Sequence, residues 1–403
     1  VRHHEAGVAL RGGAEATGVI SFVGVDNFAA RNLVVESPVL PMNGIIAIPD
    51  GPLGTGQVST NGIFDNNVVR MTQAHTYSIW SLLSTGMTIT NNLVDGGATL
   101  FNANISQEGI EIFGGGDVLI SGNTVINMGN AAINLVTLSG TVEDSDLFDI
   151  IVSDNIIDRS RLGVFLGTTY SAVHGSANIS NIQIDGNVIT NGFEGGIFVE
   201  MQDGTLADPT LIDGLTISNN HVGVVANKDQ GFVTFGIYFD GKNSQDLTIS
   251  SNINIFGNNL ELSNVSELLP SPSRISSSNS RFVILYNFEG IEFFDNELHS
   301  DVENFVTNAI STFLSDNVEI RDNDVTGFRG FGIELQNSSN VLIDENRLID
   351  WGGYVDYFAI LVASSDNVTV SANDVESPDT FEGPIAANIF SSNVTFNANR
   401  MIA

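Results

Sequence analysis

One short phrase returns along the chain: an apolar–x–apolar pair, two variable residues, an asparagine, one variable residue and an aliphatic. It reads Val118-Leu119-Ile120-Ser121-Gly122-Asn123-Thr124-Val125, then Val318-Glu319-Ile320-Arg321-Asp322-Asn323-Asp324-Val325, then Val341-Leu342-Ile343-Asp344-Glu345-Asn346-Arg347-Leu348. Aligning the phrase gives Asn67, Asn92, Asn123, Asn155, Asn187, Asn220, Asn252, Asn296, Asn323, Asn346, Asn373 and Asn399. Successive gaps are 25, 31, 32, 32, 33, 32, 44, 27, 23, 27 and 26 residues. Self-similarity at such a period is the signature of a stacked-repeat architecture, in which each unit buries its apolar face only against its neighbours. The 44-residue gap contains 263–280, read as an inserted loop from its Pro-Ser-Pro-Ser turn chemistry.

Each repeat holds two or three short strands by the alternation test, and no helical period appears. The first strand opens with Gly or Ala followed by Ile or Val, as in Gly109-Ile110, Gly196-Ile197, Gly236-Ile237 and Gly332-Ile333. Strands this short gain stability only by pairing edge to edge with the next coil, about 4.8 Å away. The phrase asparagine is expected at the bend between strands, in left-handed backbone angles, with its amide donating to the next asparagine in a ladder.

This pattern resembles the pectate-lyase-like superfamily of right-handed β-helices, over nearly the whole chain from about Val8 to Met401. The resemblance implies an all-β fold, a single-stranded right-handed parallel β-helix solenoid of 12 to 13 coils in one domain, 1–403. It specifies chemistry weakly, because unrelated activities share such scaffolds. Lyases of that superfamily commonly use Lys or Arg as base, whereas only Lys228 and Lys242 occur here. The Asp-Pro-His motif of alginate epimerases and the Asn-Thr-Asp and Gly-His-Gly signatures of polygalacturonases are missing.

With 47 acidic against 14 basic residues, the net charge is −33. Such a surface repels nucleic acid, anionic lipid and polyanionic glycans. No cysteine is present, which excludes disulfides and thiol chemistry, and no apolar run is long enough for a membrane span. An acidic, lysine-poor, cysteine-free chain is compositionally like secreted bacterial proteins, so an extracellular or cell-surface location is expected. The last phrase, Val394–Met401, ends close to the terminus, and no capping helix is evident at either end. A fragment of a larger secreted protein is therefore expected, or ends that dock on further domains or subunits.

Outward side chains of a parallel β-helix form rows one coil apart. With each Gly-Ile isoleucine inward, one outward row runs Glu111, Asn134, Phe165, Phe198, Tyr238, Ser311, Glu334, Leu361. The next runs Phe113, Val136, Gly167, Glu200, Asp240, Phe313, Gln336, Ala363. The coil around Ile284–Tyr286 resists alignment. Phe165, Phe198 and Tyr238 thus form an aromatic column able to stack on sugar rings, with Glu111 and Glu334 as further sugar contacts. Glu200 and Asp240 beside it are the expected catalytic carboxylates, with Tyr170 and His174 as accessory groups. The leading reading is an extracellular glycan binder or glycan-cleaving enzyme, a hydrolase or lyase-like protein. The same column is compatible with packing under loops, and the acids with Ca²⁺ binding, as in a structural or adhesive solenoid. A further Ca²⁺ reading attaches to Asp144, Asp146 and Asp149, although they lack the Asp-x-Asp-x-Asp-Gly order of an EF-hand.

Overall fold

The computed structural model describes residues 18–37, 43–51, 56–71, 76–97, 107–137, 146–168, 170–171, 175–176, 178–201, 211–226, 234–241, 249–264, 280–300, 308–328, 330–349, 358–376 and 386–402. All regular structure among them is β, and each turn of chain contributes one strand to each of three sheets. Each sheet has 13 strands in parallel register, so the repeat winds into a β-helix of 13 rungs, one more than the asparagines count. The first rung (Gly18–Val23, Ala29–Arg31, Val34–Ser37) carries Leu33 where the others carry asparagine. The Asn67 side chain accepts the Leu33 N–H at 3.1 Å, so the ladder begins there.

The described chain falls into two compact units, one made of Val1–Thr190 and Glu200–Ile212, the other of Asn191–Val199 and Asp213–Ala403. In the first, inward Ile45, Phe64, Ile79, Ile112 and Val125 are fully buried. In the second, Ile197, Phe239, Phe282, Phe288 and Ile310 play that part, with Phe239 and Phe288 packed edge to face at 5.1 Å. The glycine that opens first-sheet strands reflects close approach of the third sheet. A Cβ on Gly196 would lie 2.1 Å from Val222 Cγ1 and 2.6 Å from the Gly236 carbonyl.

The ladder exists, with two corrections. In the first unit it runs through Asn67, Asn92, Asn123, Asn155 and Asn187. Each asparagine donates its backbone N–H and its side-chain amide to the Oδ1 of the next. In the second unit it runs Asn220, Asn258, Asn296, Asn323, Asn346, Asn373 and Asn399. Asn258 therefore replaces the expected Asn252, which lies on the surface with φ 56° and donates to Asp213. The two gaps become equal at 38 residues each. The left-handed residue is also the one before the ladder position: Asn66, Asn91, Asp154, Asn219 and Asp322 have φ of 54–56°, and the ladder asparagines do not. That preceding bend aims the amide inward, where it also donates to a carbonyl of the preceding rung, as Asn123 does to Ile89 at 2.8 Å. Of the expected loop 263–280, positions 263 and 264 end the strand Asn259–Asn264 and 280 begins Ser280–Tyr286. The remainder lies outside the described residues.

Candidate functional site

The outer face of the first sheet carries the rows expected from the repeat. In the first unit the register aligns Trp80, Glu111, Asn134 and Phe165. In the second it aligns Tyr238, Ile284, Ser311, Glu334 and Leu361, which places the coil that resisted alignment. The neighbouring row there reads Asp240, Tyr286, Phe313, Gln336 and Ala363.

In the second unit, two of the three expected aromatics come together. Phe198 and Tyr238 stack with ring centroids 5.1 Å apart and planes 20° from parallel. A third ring, Phe235, lies 5.5 Å from Phe198 and 5.3 Å from Tyr238, standing edge-on to the latter. Strict alternation puts Phe235 inside, but a Cβ on Gly236 would face the core side chain of Leu260, and Ile237 is also interior. Two successive inward positions reverse the parity and bring Phe235 out. Its sequence place is the one just before a Gly/Ala-Ile pair, a place held elsewhere by residues such as Asn43, Glu108, Asn308, Phe331 and Phe358.

Asp240 sits two residues beyond Tyr238 on the same face, half-buried, and the phenol donates to its carboxylate. Burial pushes the Asp240 carboxyl above its usual range, and the Tyr238 hydrogen bond opposes this. Burial and the adjacent Asp240 charge push the Tyr238 phenol upward. Arg281, the register partner of Phe235, holds its guanidinium carbon 5.5 Å from the centre of the Phe313 ring. Rings, one acid and one guanidinium thus share this face. Arg281, Tyr286 and Phe313 were not singled out by sequence as site residues.

Phe165 belongs to the first unit, where its ring lies over Gly167; a Cβ there would be 2.5 Å from Phe165 Cε1. Glu200 also falls in the first unit, half-buried at the end of Gly195–Met201, with its carbonyl accepting the Thr168 N–H at 3.0 Å. Tyr170 starts the antiparallel ribbon Tyr170–Ser171 with Gly175–Ser176. His174 and Asp144 lie outside the described residues. Asp146 accepts the Asn178 N–H at 2.6 Å and Asp149 accepts the Asn181 amide at 3.0 Å. Among the described residues no group of three His, Asp or Glu side chains is placed to hold a metal ion.

Glu334 and Glu111 occupy the outward row yet are 5% and 4% exposed. Glu334 is saturated: Asn308 and Ser311 donate to Oε2 at 2.6 and 3.2 Å, and Gln336 to Oε1 at 2.5 Å. Glu111 is not, for Asn134 bonds its carboxyl while Oε2 has no partner among the described residues.

A family profile described as a right-handed β-helix region matches residues 55–210 and 207–401. No curated protein matches the chain in sequence. Solved structures do match in fold. The surface adhesin PfbA of Streptococcus pneumoniae aligns over 95% of this chain and 85% of its own, at 12% identity and TM-score 0.51. A mutant of the periplasmic alginate epimerase AlgG aligns over 93% and 79%, at 14% identity and TM-score 0.57. A tailspike mutant of E. coli bacteriophage HK620, in complex with a pentasaccharide, aligns over 94% and 69%, at 13% identity and TM-score 0.53. At these identities the likeness is one of fold.

Proposed function

The chain belongs to the right-handed β-helix family, and from that premise we propose that it binds an extracellular polysaccharide on the outer face of its first sheet. The observation that carries this reading is the half-buried stack of Phe198 on Tyr238, walled by Phe235 and flanked by Asp240. Aromatic rings cover the apolar faces of sugars, while a carboxylate and a guanidinium fix hydroxyl orientation. The net charge of −33 favours a neutral glycan over a polyuronate. That two of the structures alike in fold are an alginate epimerase and a tailspike bound to a pentasaccharide supports a glycan ligand, and the surface adhesin supports a place on a cell surface.

Turnover is a separate claim within this reading. Asp240, with its proton held more tightly than a free carboxyl, is the residue assigned to donate to a leaving oxygen.

The test is binding and turnover on a panel of neutral polysaccharides, with pectate and alginate for comparison. Tyr238→Ala and Phe198→Ala should each weaken binding about tenfold, as loss of about 1.4 kcal/mol of stacking implies. Asp240→Asn should keep binding and lose turnover. Turnover unchanged in Asp240→Asn removes the catalytic claim. Binding unaffected by either aromatic substitution refutes the site.

A further inference from the structure

Ten buried side-chain N or O atoms lack a hydrogen-bond partner among the described residues, and five lie on two adjacent first-sheet strands. They are Ser78 Oγ, Trp80 Nε1 and Ser81 Oγ on Thr76–Leu82, and Gln107 Oε1 and Glu111 Oε2 on Gln107–Phe113. Leaving such groups unpaired costs about 1–3 kcal/mol each, so their concentration calls for an explanation. Trp80 and Glu111 are register partners on the outer face, 8% and 4% exposed. One carries a donor seeking an acceptor, the other an oxygen seeking a partner, and they do not satisfy each other.

Their surroundings are those of a built site. Tyr77, half-buried, stacks on Trp80 with ring centroids 5.0 Å apart and planes 28° from parallel. Glu108 is the register partner of Tyr77 and accepts from the Asn130 amide at 2.7 Å. Asn134 anchors the Glu111 carboxyl from the next rung. All six residues lie in the first unit, apart from the Phe198–Tyr238 platform in the second.

We propose that Tyr77, Trp80, Glu108 and Glu111 form a second ligand site that takes a hydroxyl-bearing, uncharged sugar unit. The Trp80 N–H donates to a ligand oxygen, and Glu111 Oε2 bonds a ligand hydroxyl. A hydroxyl group both donates and accepts, so one sugar ring meets both unpaired atoms while its apolar face lies on the Tyr77–Trp80 pair. A cation meets only one of them, because the indole N–H repels it. Burial and the neighbouring Glu108 charge push the Glu111 carboxyl well above its usual range, toward the uncharged form that suits a neutral ligand. The ligand class rests on the proposed glycan function, and the variants below separate the two.

The chain has two tryptophans, Trp80 and Trp351, so the Trp351→Phe protein reports on Trp80 alone. Its emission is followed on titration with cellohexaose, maltohexaose and chitohexaose, and separately with CaCl2. The expected result is a saturable shift with at least one hexasaccharide. Glu111→Leu should weaken binding at least tenfold without loss of thermal stability, because it removes a buried acid and keeps its bulk. Binding of that hexasaccharide, read by calorimetry, should weaken at least fivefold in Trp80→Phe, which keeps a ring and removes the donor. Tyr238→Ala should leave the Trp80 response in place. No response to any of the three sugars overturns the inference, as does a response to CaCl2 alone. Sugar binding that is lost in Tyr238→Ala but unchanged in Glu111→Leu and Trp80→Phe also overturns it, while leaving the proposed function standing.

Discussion

Replacing Asn258 by alanine should cost far more than replacing Asn252, although both fall near the phrase spacing in one stretch of sequence. The Asn258 side chain is 1% exposed. Its Oδ1 accepts the Asn220 backbone N–H at 3.0 Å and the Asn220 side-chain amide at 2.9 Å. Its own amide donates to the Ile217 carbonyl, the Phe256 carbonyl and Asn296 Oδ1 at 2.9, 3.1 and 2.9 Å. Alanine would strand two buried donors of Asn220 and remove a donor from two carbonyls. At about 1–3 kcal/mol per stranded donor, the expected loss is about 3–5 kcal/mol. Asn252 is exposed and makes one side-chain bond to an exposed carboxylate, Asn252 Nδ2 to Asp213 at 2.8 Å, so its removal costs below about 1.5 kcal/mol, mostly the left-handed preference. Guanidinium unfolding followed by circular dichroism gives the totals, and amide exchange localises them. Exchange at the Asn220 N–H should speed by on the order of 100-fold in Asn258→Ala, the equivalent of about 3 kcal/mol. Equal losses for the two variants, or an unchanged Asn220 rate in Asn258→Ala, would refute the ladder and the assignment of its eighth rung.

Two further outcomes follow from named contacts. Glu111→Gln should leave stability near wild type at pH 3 and raise it progressively toward pH 8, as thermal midpoints read. The folded carboxyl binds its proton more tightly than the unfolded one. Wild type therefore loses stability as pH rises from the unfolded pKa through the folded one, and glutamine does not titrate; parallel pH profiles would sink this. Gly196→Ala should destabilise by about 1–3 kcal/mol through overpacking against Val222, and Val222→Ala in the same chain should recover part of the loss relative to Gly196→Ala. No recovery would mean that the Gly236 carbonyl, not Val222, sets the limit.

The coil, its three strands and the outward rows were legible because they repeat. Inward aliphatics and the buried amide face the same demands in every rung. The slip at Asn252 came from two overlapping phrases, and one residue separates them: Ile253-x-Ile255-x-x-Asn258-x-Leu260 ends in an aliphatic, whereas the phrase through Asn252 ends in Asn254. That aliphatic matters physically, for Leu260 is fully buried. Phe235 escaped because a period of two has no place for two consecutive inward positions. Burial of Glu111 and Glu334 was illegible for another reason. Both stand in a row that alternation points away from the core, and how far such a residue is exposed depends on its neighbours in that row, which a period of two does not encode.

The acidity looks different once the rungs are in register. Asp26 accepts from Thr60 and Asn61, Asp65 from Thr90 and Asn91, and Asp213 from Ser251 and Asn252. Asp316 accepts from Ser339 and Asn340, and Asp366 from Ser392 and Asn393. In each case a carboxylate on one rung clasps a hydroxyl–amide pair on the next, and these bonds hold Asp26, Asp65 and Asp213 below the usual carboxylate range. Part of the negative charge is thus tied to stacking along the second sheet, and these acids are not free to meet a ligand. What separates Glu111 and Asp240 from these clasps is environment. Both are acids of the first sheet's outer face that burial drives toward their protonated form, each beside an aromatic pair. Ligand chemistry in this chain is therefore to be sought where a carboxyl is withdrawn from water next to stacked rings.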